Sequence, residues 1–161
     1  MEQKKYWKNV IRGPFYKNAE PGMTGTSIWA HHNEFNNGTT LGYHCINDYY
    51  HVPFTHSHDF HETLCFIGGN PEDINDLGAE IHFCLGDELE EYVITTATIV
   101  SIPPGLKHCP LKVTKITKPF IFLEISTTKE YGQPTGGEAS PASIAAPAEP
   151  TTKSKKSKAT D

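Results

Sequence analysis

Arginine is almost missing from this chain: of 161 residues and 14 basic side chains, Arg12 is the one guanidinium. A bidentate clamp on phosphate or carboxylate therefore has almost no donor to draw on. Acidic residues outnumber basic ones, 19 to 14, for a formal charge of −5. That balance argues against a nucleic-acid partner, because such binding rests on clustered Lys and Arg. Long hydrophobic runs are absent as well. The longest uncharged stretch, Tyr92 to Leu106, is broken by Thr96, Ser101, Pro103 and Pro104 and is too short to span a bilayer. The opening residues, Met1-Glu2-Gln3-Lys4-Lys5-Tyr6-Trp7, have no apolar core of the secretory type. The expectation is a soluble, cytoplasmic protein without a membrane partner. Cys45, Cys65, Cys84 and Cys109 form no C-x-x-C pair and sit singly among apolar neighbours, which predicts reduced thiols rather than a disulfide framework or a zinc ribbon.

Composition changes abruptly at Gly132. From there to Asp161 the chain is mostly Gly, Pro, Ala, Ser, Thr and Lys, with Ile144 its one large aliphatic residue. Such a segment buries too little to offset the entropy of ordering its backbone, so residues 132–161 are expected to be a disordered tail behind a single domain of residues 1–131. The run Lys153-Ser154-Lys155-Lys156-Ser157-Lys158 suits solvent, or an acidic partner.

The body reads as β structure. Short apolar or β-branched runs recur at Gly25 to His31, Leu41 to Ile46, Thr63 to Ile67, Glu80 to Leu85, Tyr92 to Thr95, Thr98 to Ile102 and Phe120 to Ser126. Turn formers such as Asn36-Asn37-Gly38, Gly68-Gly69-Asn70-Pro71 and Pro103-Pro104-Gly105 divide them. Clean alternation, as in Glu80-Ile81-His82-Phe83-Cys84-Leu85, marks sheets with one buried face. No amphipathic helix is evident beyond a turn around Glu72 to Leu77. Strands this short at this spacing predict an all-β barrel or sandwich. Tyr6, Trp7, Phe15 and Tyr16 precede the first run and form an N-terminal arm, packed on its own barrel or on a neighbouring copy.

Histidine is what the chain has in excess: nine residues, four of them (His51, His56, His58 and His61) within eleven positions. In His56-Ser57-His58-Asp59-Phe60-His61-Glu62, extended backbone puts His56 and His58 on one face, and a turn through Asp59 to His61 returns Glu62 toward them. Two neutral imidazoles and a carboxylate suit a divalent transition metal with positions left open. A fourth donor is available. The run Ile99 to Ile102 leads into the turn Pro103-Pro104-Gly105, where proline fixes φ and glycine permits a positive one, and His108 then starts the following strand. For His31, His32, His44, His51, His61 and His82 taken singly, a surface or hydrogen-bonded core position is the plainer reading.

The first of these segments, with Gly69 seven residues after Glu62, resembles motif 1 of the cupin superfamily. The second, Pro103-Pro104-Gly105-Leu106-Lys107-His108, resembles cupin motif 2, P-x-G-x-x-H. The motifs span residues 50–112, and the strand pattern extends the likeness to about 27–127. Tyr50 and Ala97 stand where the motifs usually open with glycine, and Lys112 where motif 2 often ends in asparagine. The resemblance implies a small double-stranded β-helix, or jelly-roll barrel, holding one divalent metal (Fe, Mn, Ni or Zn) on His56, His58, Glu62 and His108. It also implies homodimers and a small-molecule substrate. Cupins include dioxygenases, isomerases, decarboxylases and lyases, so the expectation is a metal-dependent enzyme, with dioxygenase chemistry in front of Lewis-acid isomerase or lyase chemistry. The alternative is a non-catalytic metal- or ligand-binding module for sensing or storage.

Strand parity from Glu62 turns Leu64 and Phe66 inward, with Phe83 as a further wall, and Thr63, Cys65 and Ile67 outward. Tyr43, His44 and Tyr92 are the candidate catalytic residues, with Tyr49 and His82 as further polar groups able to exchange protons. Lys107 beside His108 is a candidate for attracting an anionic substrate, or else a solvated residue at the barrel mouth.

Overall fold

The computed structural model describes residues 4–10, 15–17, 26–30, 35–129 and 131. The tail of residues 132–161, Arg12, His31 and His32 lie outside the described residues.

Among the described residues the fold is all-β, with a 3-10 turn at Trp7–Asn9 ahead of the first strand. Ten strands follow: β1 Phe15–Lys17, β2 Thr26–Ala30, β3 Thr40–Ile46, β4 His51–Val52, β5 Glu62–Ile67, β6 Ala79–Leu85, β7 Glu90–Ile94, β8 Thr98–Ile102, β9 His108–Ile116 and β10 Phe120–Ser126. They pair antiparallel into a six-stranded sheet, β1-β2-β3-β10-β5-β8, and a four-stranded sheet, β4-β9-β6-β7. This is a jelly-roll barrel of the cupin type. No helix among the described residues is long and apolar enough to cross a membrane.

The seven runs read from sequence coincide with β2, β3, β5, β6, β7, β8 and β10 to within two residues at each end. β9 extends the strand begun at His108 through Ile116. Its reach is hidden because Pro110 can donate no ladder hydrogen bond and Lys112 and Lys115 break the apolar pattern. β1 and β4 are too short to leave a periodic signal. The segment Glu72 to Leu77 is no helix: Asp73 caps a turn by accepting from the Asn75 N–H at 2.9 Å, and Leu77 is buried while Ile74 is exposed. A Cβ at Gly68 would lie 1.9 Å from the Asp76 carbonyl oxygen, so only glycine lets this loop close against the end of β5.

Register explains where the site falls. On β10, Phe120, Phe122, Glu124 and Ser126 share the inner face. They stand opposite Ile46, His44, Gly42 and Thr40 of β3, and Phe122, Glu124 and Ser126 stand opposite Phe66, Leu64 and Glu62 of β5. Each strand thus runs from apolar at one end of the barrel to polar at the other. Phe66 and Phe122 stack at the apolar end, with ring centroids 5.1 Å apart, and Phe83, Phe120, Ile46, Ile81, Leu111 and Val113 complete that core. The expected parity holds for Leu64, Phe66 and Phe83, which are buried, and for Ile67, which is 41% exposed. Cys65, although on the outward row, is also buried, because Leu123 and Ile99 flank it in the same row.

Truncating an inward aromatic should therefore cost far more than truncating its outward neighbour. Phe66→Ala should lose about 3–5 kcal/mol and Ile67→Ala no more than about 1 kcal/mol, as read from urea unfolding midpoints.

Candidate metal centre

His56 and His58 lie in the link between β4 and β5 rather than on a regular strand. His56 forms an isolated antiparallel bridge with His108. Each backbone N–H donates to the other's carbonyl, at 3.0 and 2.9 Å, which sets the two imidazoles 4.2 Å apart between centroids. The turn Pro103-Pro104-Gly105 closes with the Leu106 N–H donating to the Pro103 carbonyl at 3.1 Å. Gly105 takes the expected positive φ, +82°, and its N–H donates to the His58 carbonyl at 2.8 Å. The second motif thus holds the backbone of the first. Phe60 stacks on the His58 ring at 4.6 Å. Glu62, first residue of β5, reaches the same place: its Oε2 is 3.3 Å from His108 Nε2 and 3.7 Å from His58 Nε2.

His56, His58 and His108 each offer a ring nitrogen, and these atoms all lie within 4.8 Å of one another. All three rings and Glu62 are buried. His108 Nδ1 donates to the Leu106 carbonyl at 3.1 Å, and His56 Nδ1 faces the Phe54 carbonyl at 3.4 Å. Backbone contacts of this kind leave the Nε2 lone pairs to face the cluster. His58 Nδ1 is buried with no hydrogen-bond partner, an orphan of a type that buried polar atoms rarely remain. Burial, then the neighbouring charges of His108 and His58, lower the pKa of His56 to about 4. Burial likewise lowers that of His58. Burial works to raise Glu62, but the hydrogen bond and charge of His108, the charge of His58 and the Tyr131 hydrogen bond carry it below the ordinary carboxylate range. Proton-free imidazole lone pairs beside a carboxylate are the form in which these side chains ligate. The residues present fit a divalent metal.

Of the other polar residues proposed from the sequence for handling substrate, His44 alone faces the barrel interior. Its Nε2 donates to Glu124 Oε2 at 2.7 Å, since an ionised carboxylate can only accept, and its Nδ1 is hydrogen-bonded with the Ser27 hydroxyl at 2.5 Å, joining β2, β3 and β10. Tyr43 and Tyr92 are not brought to the cluster: Tyr43 is on the outward row of β3, and Tyr92 is 44% exposed on edge strand β7 beside Glu90. Tyr49 is exposed. His82 lies between Glu80 and Glu91 at the surface, and their carboxylates raise its pKa, Glu91 foremost. Lys107 pairs with Asp87 at an exposed position, so its charge is already matched.

Tyr131 was not legible in the sequence. Its hydroxyl donates to Glu62 Oε1 at 3.0 Å and lies 3.3 Å from His58 Nε2, and its ring covers His58 and Phe60. Burial and the nearby carboxylates of Glu124 and Glu62 push its pKa well up. The available signal was thin: it is the last aromatic before the composition change, and it belongs to neither motif.

No family model matches the sequence, and no curated protein matches it. Solved structures do. Peruvianin-I, a cysteine peptidase from Thevetia peruviana latex, superposes with a TM-score of 0.55 at 15% identity, over 80% of this chain and 77% of that one. Oxalate oxidase in complex with the substrate analogue glycolate gives 0.49 at 12% identity, over 71% of this chain and 55% of that one. The FeII form of HppE gives 0.48 at 16%, over 73% and 59%. At these identities the likeness to Peruvianin-I is one of fold, and the other two overlays are looser.

Removing the ring that joins β2, β3 and β10 should destabilise the barrel. His44→Ala leaves Glu124 and Ser27 without their shared partner, and a loss of about 1–3 kcal/mol in urea unfolding is expected.

Proposed function

We propose that this cupin-fold chain is a metal-dependent enzyme acting on a small organic molecule, with His56, His58, Glu62 and His108 as the ligands of one divalent transition metal. The observation that carries the reading is the convergence of three buried imidazoles on one point, within 4.8 Å, beside a buried carboxylate. When bound, iron, manganese, nickel or zinc would supply dioxygen activation or Lewis acidity at that point, and dioxygenase chemistry is the form we favour. The protein's own part is to exclude water with Phe60, Leu64 and Tyr131 and to hold the His108 and His56 imidazoles in the ligating tautomer through the Leu106 and Phe54 carbonyls. His44 holds a proton at Nε2, shared with Glu124 Oε2, and is the catalytic candidate whose position suits an acid–base role inside the barrel.

A homodimer is supported by the outer face of the six-stranded sheet. Tyr43, Leu123, Cys65 and Ile99 fall in one row across four strands, and Tyr43 and Ile99 are exposed at 41% and 73%. The four cysteines are free thiols, which suits a reducing, cytoplasmic setting. A second reading, a non-catalytic metal- or ligand-binding module, is favoured by one observation: Phe60 and Tyr131 both pack on the ring of His58.

Elemental analysis of the purified protein beside a His56→Ala/His58→Ala variant tests the metal. About one ion per chain, lost in the variant, is expected; no ion in either after reconstitution would overturn the reading. Turnover screens on the loaded protein then separate the two readings. An organic molecule that copurifies and is returned unchanged would favour the binding module.

A further inference from the structure

We propose that Tyr131 is a fifth protein donor to the metal centre, its phenol oxygen binding the same ion as the three histidines and Glu62. The inference rests on the metal reading above and concerns a residue outside both histidine-bearing segments.

Donors held about 2.0–2.2 Å from a common ion lie about 3.0–3.5 Å from their neighbours, whether four or six surround it. Glu62 Oε2 stands 3.3 Å from His108 Nε2. The Tyr131 hydroxyl stands 3.3 Å from His58 Nε2 and 3.0 Å from Oε1, the other oxygen of the Glu62 carboxylate, so it is spaced from the His58 donor as a neighbour on the same ion would be. Its approach is anchored. Just past β10, the Thr127 N–H donates to the His61 carbonyl at 2.9 Å, and the His61 N–H to Thr127 Oγ1 at 3.2 Å. Thr127, four residues before Tyr131, is thereby fastened to the loop that carries His56 and His58. Ring contacts with His58 and Phe60, at 5.3 and 6.0 Å, aim the hydroxyl at the cluster.

Coordination breaks the phenol O–H bond, forms the oxygen–metal bond and releases one proton to solvent. It adds a second anionic donor to Glu62, which favours a harder, more strongly Lewis-acidic ion over a softer one. A metal-bound phenolate also has a signature that a merely hydrogen-bonded phenol lacks: intense visible charge-transfer absorption on ferric or cupric ions.

The test loads full-length wild type and Tyr131→Phe with ferric and, separately, cupric ions. Absorbance per bound metal, metal affinity by chelator competition and the unfolding midpoint are then read. The wild type should bind one ion per chain and show the visible band. The variant, with an unchanged midpoint, should still bind metal, about 10–100-fold more weakly, and lose the band. No band in the wild type, whatever the change in affinity, would overturn the proposal while leaving the four-ligand site standing. Failure of the wild type to bind either ion would overturn both.

Discussion

Two backbone hydrogen bonds between His56 and His108, with the third from Gly105 to the carbonyl of His58, join segments distant in sequence into one frame. Side-chain geometry at a metal centre needs this kind of support, because ligand positions must be held before an ion can bind them together. Here the support is main chain rather than side chain. The Pro103-Pro104-Gly105 turn can form only with a residue that tolerates positive φ at Gly105, and that same residue donates to the histidine segment. The rings, their tautomers and the position of Glu62 at the start of β5 all follow from this clamp.

A polar cluster inside a barrel is costly unless each group is matched. The inner face meets that cost by segregation. Phe66, Phe122 and Phe120 gather at one end; Glu62, Glu124, Ser126 and Thr40 gather at the other, in the register that β3, β10 and β5 share. His44 lies at the boundary and satisfies groups on both sides of its own strand. Glu62 stays ionised in a dry place because imidazoles and a tyrosine hydroxyl face it. Phe60 and Tyr131 pack on the His58 ring, and the burial of the three imidazoles and Glu62 strengthens the electrostatic interactions among them.

Much of the architecture was readable from the chain because alternation and turn chemistry are local. Glu80 to Leu85 shows its strand in its own hydropathy, and Phe120 to Ser126 does the same. β9 was harder to delimit, since Pro110, Lys112 and Lys115 obscure a strand whose burial is set by β6 and β4 beside it. The expectation that His56 and His58 ride a strand was off in detail: the segment is an irregular link with one bridge. The side-by-side placement survives, with centroids 5.0 Å apart, because the backbone is locally extended around that bridge.

The sequence by itself determined the two histidine-bearing segments, their order, the donor types they carry and the alternation that builds an all-β barrel. Each of these depends on neighbours a few residues away, where backbone preference and side-chain parity act directly. The tertiary structure alone decided which other polar residues join them. His44 meets Glu124 and Ser27, and Tyr131 meets Glu62, only through strand register and the course of the chain beyond β10. Tyr43, adjacent to His44, is turned outward by the same pleat. Contacts between residues far apart in the chain are set by how whole sheets align, and no local pattern encodes that alignment.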